Sequence, residues 1–247
     1  MAFVATIGLA LAGRAVVATG TGESGVSLLS VGIALLLVGV APIGLVLLLA
    51  NLQERPTASD FALRPPPLGR SIGLAIAFWV GINVLTLLWV VALGLDAEEG
   101  PLTERLGTEG TLTVVILFVI LTVVTPVGEE FLFRGYIFRA LRNLAGLWPA
   151  AITTGLLFAA THVGWLPLAF FVPIVLFGIG MCLVYHWTGS LYPGIAAHAL
   201  NNSVPLGFAL DWSWQIPMLV ACSVVAALVV AKLIAGLLGD RPQSGDT

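Results

Sequence analysis

The chain has 247 residues, of which 59% are hydrophobic and 9% charged, and a net charge of −3. A soluble domain carries about 25% charged residues, so the composition excludes an ordinary soluble domain and points to a polytopic membrane protein. So small a net charge gives no ground for a nucleic-acid partner. Cys182 and Cys222 lie in separate apolar segments and are read as small packing residues rather than a disulfide or a metal site.

Residues 2–18 are apolar with Arg14 inside. A cleaved signal peptide carries its positive charge before the apolar stretch, so this segment is read as a weak first transmembrane helix. Gly20 to Ser27 is a Gly-rich polar loop, and Leu28 to Ala50 is a strong span. Asn51 to Arg70 reads as a polar loop with Arg55, Arg64, Arg70 and the breaker Pro65-Pro66-Pro67. Ser71 to Leu95 is the next span, followed by an acidic loop, Asp96 to Glu109, with five carboxylates and Arg105. Leu112 opens a long helix that Pro126 is expected to kink and that Arg139 and Arg142 end. Further spans are Trp148 to Val163, Pro167 to Trp187, Leu191 to about Phe208 and Gln215 to Leu238.

The expected fold is all-α: a polytopic bundle of about eight membrane helices in one integral membrane domain. Residues 1–110 supply N-terminal helices, 111–208 a core, 209–238 a C-terminal helix and 239–247 a polar tail. Basic loops at 51–70 and at Arg139/Arg142 are placed in the cytoplasm and the acidic 96–109 loop outside. Both termini are then cytoplasmic and the protein is multi-pass in the cell membrane.

Ionisable groups at membrane depth are costly and mark function by default. The spans carry Glu129, Glu130 and Arg134, then His162, His198, and Asn201 with Asn202. At about 1.5 Å of rise per residue, Glu129, His162, His198 and Asn202 reach similar depth from three helices, roughly 12–21 Å from the cytoplasmic boundary. Glu130 and Arg134 stand at i and i+4 and can pair. Glu129 is turned about 100° away around the axis and has no local cation, which leaves it free to act as a general base. His198 and Asn202, also at i and i+4, present donors on one face, as an oxyanion requires. His162 can hold a water beside Glu129 or join it on a metal.

Each group taken alone has a plainer reading. A Glu–Arg pair can be structural, a lone His or Asn can bridge helices, Asn201 suits packing, and His186 beside Trp187 suits the interface. Convergence of three helices at one depth favours chemistry, and a base, a water-holder and oxyanion donors suit peptide-bond hydrolysis. The zinc pattern H-E-x-x-H and paired intramembrane aspartates are absent. Gly22-Glu23-Ser24-Gly25 lies in a polar loop and does not open a buried helix.

Glu129-Glu130-x-x-x-Arg134, Phe158-x-x-x-His162 and His198-x-x-x-Asn202 resemble the three ordered motifs of the CPBP family. That family includes the type II CAAX prenyl endopeptidases and the bacteriocin-processing "Abi" proteins, and the resemblance runs from about Thr113 to Pro205. It implies an eight-helix intramembrane endopeptidase with a cavity open to cytosol and lipid. It further implies that Glu129 activates water with help from His162, and that His198 and Asn202 stabilise the oxyanion. Glu130 and Arg134 would support Glu129, and Phe158 would pack the site wall. The reading favours no required cofactor, with zinc on Glu129, His162 and His198 as the alternative. The expected partners are the lipid bilayer and a membrane-embedded or lipid-modified polypeptide substrate. Two rival classes are a non-proteolytic scaffold or immunity factor on the same fold and a proton-coupled transporter. The transporter would show inverted repeats, whereas intramembrane charge in this chain, Arg14 aside, is confined to the second half.

Overall fold

The computed structural model describes residues 36–52, 54–95, 111–163 and 166–240. Expectations for the helix at 2–18, the loop at 20–27, the start of the second span, the acidic loop and the last seven tail residues lie outside these. The described residues form an all-helical bundle. α1 covers residues 36–51, with a π turn over Leu36–Val40 running into Ala41–Asn51. α2 is Leu68–Leu93. α3 is one continuous helix over residues 111–145, and α4 is Leu147–His162. A 3-10 turn, Leu168–Phe170, leads into α5, Phe171–Thr188. α6 is Tyr192–Ala209 and α7 is Gln215–Leu238.

Four of these helical stretches are long and apolar enough to cross a membrane: Leu68–Leu93, Val114–Ala145, Leu168–Thr188 and Gln215–Leu238. α2 exposes Ile72, Ile76, Val80, Val84, Leu87, Leu88 and Val91, and α7 exposes Met218, Val225, Val229, Leu233 and Leu237. Apolar stripes on the outside of a bundle make sense only where the surroundings are lipid. The helices of the described residues follow the expected spans within a few positions. α2 starts at Leu68 rather than Ser71 because Pro67 already holds extended backbone as its N-cap. α3 runs past Arg142 to Ala145, and Gly146 at φ +82° makes the whole turn into α4.

The segment between α1 and α2 is not the solvated loop its composition suggests. Thr57 opens a 3-10 turn, Ala58–Phe61, with a reciprocal capping box to Asp60. Ala58, Phe61, Ala62 and Leu63 are buried. Phe61 packs on Phe131 with ring centroids 4.3 Å apart. Backbone bonds tie Leu191 N–H to the Ala62 carbonyl and Ala58 N–H to the Gly239 carbonyl. Arg64 donates to the Gly189 carbonyl at 2.8 Å, Ser190 Oγ donates to the Arg64 carbonyl at 2.7 Å, and Arg139 donates to the Asp60 carbonyl. The turn therefore plugs one end of the bundle and clamps the ends of α3, α5, α6 and α7.

Candidate active site

α3 carries the carboxylates, and its geometry is irregular around them. π turns over Ile120–Val124 and Phe131–Phe138 flank the α-helical Thr125–Glu130. Pro126 sits at the start of that middle piece. A proline in a helix has no N–H and crowds the carbonyl four residues back, and the chain answers by widening to π just before it. Thr125 N–H bonds the Ile120 carbonyl, five residues back. In that register the partner of the Leu121 carbonyl would be Pro126, which has no hydrogen to give. Asn202 Nδ2 supplies the bond from α6 instead, at 2.9 Å.

Gly128 lets α1 come close at this point. A Cβ there would run into the Gly39 carbonyl. The same device joins α4 to α5, where a Cβ on Gly178 would lie 2.7 Å from Gly155 Cα. Both close approaches pack helices directly behind the charged groups.

Glu130 and Arg134 are 1% and 0% exposed and pair at 2.7 Å between Oε1 and Nη1. Arg134 Nη2 donates to the Gly178 carbonyl at 2.9 Å. Its guanidinium also lies 4.8 Å from the Phe158 ring centroid. His198 Nδ1 meets the same Glu130 Oε1 at 3.0 Å. A carboxylate only accepts, so Nδ1 carries the hydrogen of that bond. Nε2 then faces Glu129, 3.6 Å from its Oε2. Glu129 Oε2 is buried and has no hydrogen-bond partner. Glu130 Oε2 is likewise buried without a partner, so the two adjacent carboxylates differ in the other oxygen: Oε1 of Glu130 is held by two donors, Arg134 and His198.

Phe158 is the hub that joins the remaining groups. His162 lies against it with ring centroids 4.6 Å apart, and His198 meets it edge-on at 5.9 Å. Phe133 and Phe177 contact the same ring at 5.1 and 5.7 Å. His162 Nδ1 donates to the Phe158 carbonyl at 2.9 Å, which leaves Nε2 as an acceptor in the neutral ring. His162 also fronts a cleft between α4 and α5 lined by Val163, Leu166, Phe171 and Ile174.

The arrangement therefore brings Glu129, Glu130, Arg134 and His198 into direct contact or near contact. It links His162 to them through Phe158, and Asn202 through the Leu121 carbonyl on α3. Among the described residues no hydrogen bond or ion pair joins His162 to Glu129. Nor does any group of three His, Cys, Asp or Glu among them stand where it could hold a metal ion. Glu129, His162 and His198 are not gathered into such a group. His186 is exposed at the end of α5, 3.3 Å from Arg142 Nη1 through Nδ1, as an interfacial residue would be. Cys182 is buried and Cys222 exposed, both as free thiols.

Sequence reasoning did not find three contributors. The Gly178 carbonyl and the Leu121 carbonyl are backbone groups, invisible to side-chain motifs. Phe177, 5.2 Å from His198, has the look of any apolar residue. The sole available signal was Pro126, whose missing N–H demands a partner for a carbonyl upstream.

Fold and site of the described residues together define an all-helical membrane protein with Glu130, Arg134 and His198 buried in its core. Residues 111–204 match the family model described as Type II CAAX prenyl endopeptidase Rce1-like. The match contains all three motifs and bears out the family resemblance that they carry; the family is one of proteases. The chain is also 25% identical over 134 residues to "Uncharacterized protein YpbD" of Bacillus subtilis (strain 168). That alignment covers 51% of this chain and 65% of the relative, so less than two thirds of the relative is spanned. No solved structure matches the chain significantly.

Proposed function

We propose that the protein is an intramembrane endopeptidase that hydrolyses a peptide bond in a membrane-embedded or lipid-modified polypeptide. The observation that carries this reading is the split between the two carboxylates. Glu130 Oε1 is held by Arg134 and His198, whereas the nearest charged group to Glu129 is His198 Nε2 at 3.6 Å; Oε2 of each carboxylate is buried without a hydrogen-bond partner. A fixed ion pair next to a free carboxylate is the arrangement a general base needs.

In the proposed reaction a water donates one hydrogen to Glu129. Its oxygen attacks the scissile carbonyl as Glu129 takes the proton, and Glu129 then returns the proton to the departing amine. The negative charge that develops on the carbonyl oxygen is met by two donors from α6. His198, whose Nδ1–H stays anchored on Glu130, is one. The second N–H of Asn202 is the other, since the first is spent on Leu121. His162, with Nε2 free to accept, holds the second hydrogen of the water or of the incoming substrate. Phe158 keeps both histidines in place. The chain works as one multi-pass domain of about eight spans in the cell membrane, with both termini in the cytoplasm and a site open to cytosol and lipid. No cofactor is required.

The test compares wild type with Glu129→Ala and Glu129→Gln in membranes and in detergent. One readout is cleavage of a farnesylated C-a-a-X peptide, and the other is the profile of membrane peptides that accumulate in cells. Loss of a general base is expected to cost about 10²- to 10⁴-fold in rate. An unchanged cleavage profile in both variants sinks the protease reading. Chelation of the wild-type preparation separates the metal-free mechanism, which keeps its activity, from a zinc mechanism, which loses it.

A further inference from the structure

We infer that the Thr125 hydroxyl is a positioning group for the water that Glu129 uses, an inference that rests on Glu129 being the base. Hydroxyls inside a helix ordinarily bond back to the carbonyl one turn before. Thr122, Thr188, Ser203 and Ser223 all do so in this protein, at 2.9, 2.7, 2.6 and 2.8 Å. Thr125 does not. It is 8% exposed, and its Oγ1 is buried without a hydrogen-bond partner. Its natural acceptor is the Leu121 carbonyl, four residues back, and that is the group to which Asn202 donates.

A buried hydroxyl left unmatched is costly and calls for an explanation. Thr125 stands at i−4 from Glu129, so the two side chains lie on one helix face. Glu129 Oε2 is likewise buried without a partner, as is Oε2 of Glu130, which is turned about 100° further around the helix. Thr125 and Glu129 have complementary needs. An ionised carboxylate only accepts, whereas a hydroxyl both donates and accepts. A single water satisfies both by donating to Glu129 Oε2 and accepting from Thr125 Oγ1–H. One lone pair of that water remains free for attack and one hydrogen remains free for a third partner.

The test uses full-length protein in lipid nanodiscs with Thr125→Val, which keeps the shape and removes the hydroxyl, and Thr125→Ser, which restores the hydroxyl. Infrared difference spectroscopy follows the carboxylate stretching band that disappears in Glu129→Gln. Thr125→Val is expected to shift that band, as a lost hydrogen-bond partner does, and Thr125→Ser to leave it in place. In peptide cleavage Thr125→Val is expected to lose about tenfold in kcat at unchanged KM, the equivalent of one ordinary hydrogen bond. Thr125→Ser should stay close to wild type. A band and a kcat that are unmoved in Thr125→Val overturn the inference, as does a serine variant as damaged as the valine one. Activity retained in Glu129→Gln instead overturns the assignment of the base, and then the infrared band alone decides whether Thr125 bonds that carboxyl through water.

Discussion

α2 and α3 are both long and apolar enough to cross a membrane, yet they occupy opposite positions in the fold. None of the membrane-length window of α2 is buried, whereas half of that of α3 is. Hydropathy does not separate them, because lipid and protein interior are equally apolar solvents. What separates them is what breaks the apolar pattern. α3 carries Glu129, Glu130 and Arg134, which have to be taken out of lipid. It also carries Gly128, which lets another backbone approach closely. On α2, by contrast, added Cβ atoms at Gly69, Gly73 and Gly81 would meet nothing within 4 Å. A glycine alone thus does not bury a helix. A glycine beside a group that must be hidden does.

The comparison can be broken most forcefully at the ion pair. Arg134→Met leaves Glu130 buried with His198 as its remaining partner. Removing one member of a buried pair costs about 3–5 kcal/mol, so this variant is expected to unfold well below wild type in a detergent thermal melt. A melt within error of wild type would mean that the pair does not hold α3 inside. The expected cost at Gly128 is smaller. Gly128→Val forces α1 away from α3, at about 1–3 kcal/mol for an overpacked contact. Gly81→Val on α2 should leave the same melt unchanged, and equal losses at the two positions would erase the distinction between the helices.

The sequence made much of this legible. Span positions followed from apolar runs, because a bilayer fixes their length. The Glu130–Arg134 pair followed from i, i+4 spacing, because helix geometry fixes it. The contact between Glu129 and His198 was expected only as shared depth, and the depth count put His162 with them just as firmly. It could not show that His162 and His198 both lie against the ring of Phe158, because side-chain rotamers and helix rotation set that. Asn202 was read from its partner at i−4, whereas its observed bond crosses to a carbonyl freed by Pro126. The arginines of the 51–70 loop are exposed, as its polar composition predicts, while its middle, Thr57, Ala58 and Phe61 to Leu63, is buried. Its burial comes from Phe61 on Phe131 and from backbone bonds to other segments, none of which a composition window registers.

The smallest expected effect concerns that crossing bond and is the most specific. Interhelical hydrogen bonds in membrane proteins are worth about 0.6 kcal/mol on average, so Asn202→Leu should lower stability only modestly. The origin of that small cost can be tested more sharply than its size. Asn202 stabilises α3 because residue 126 has no N–H for the Leu121 carbonyl. Pro126→Ala restores an N–H at that position, so the helix can satisfy its own carbonyl. In the Pro126→Ala background, Asn202→Leu should cost less than in wild type, and a double-mutant cycle on detergent melts reads the difference. Additive costs would show that Asn202 and Pro126 act independently. The bond from α6 to α3 would then be incidental to the proline.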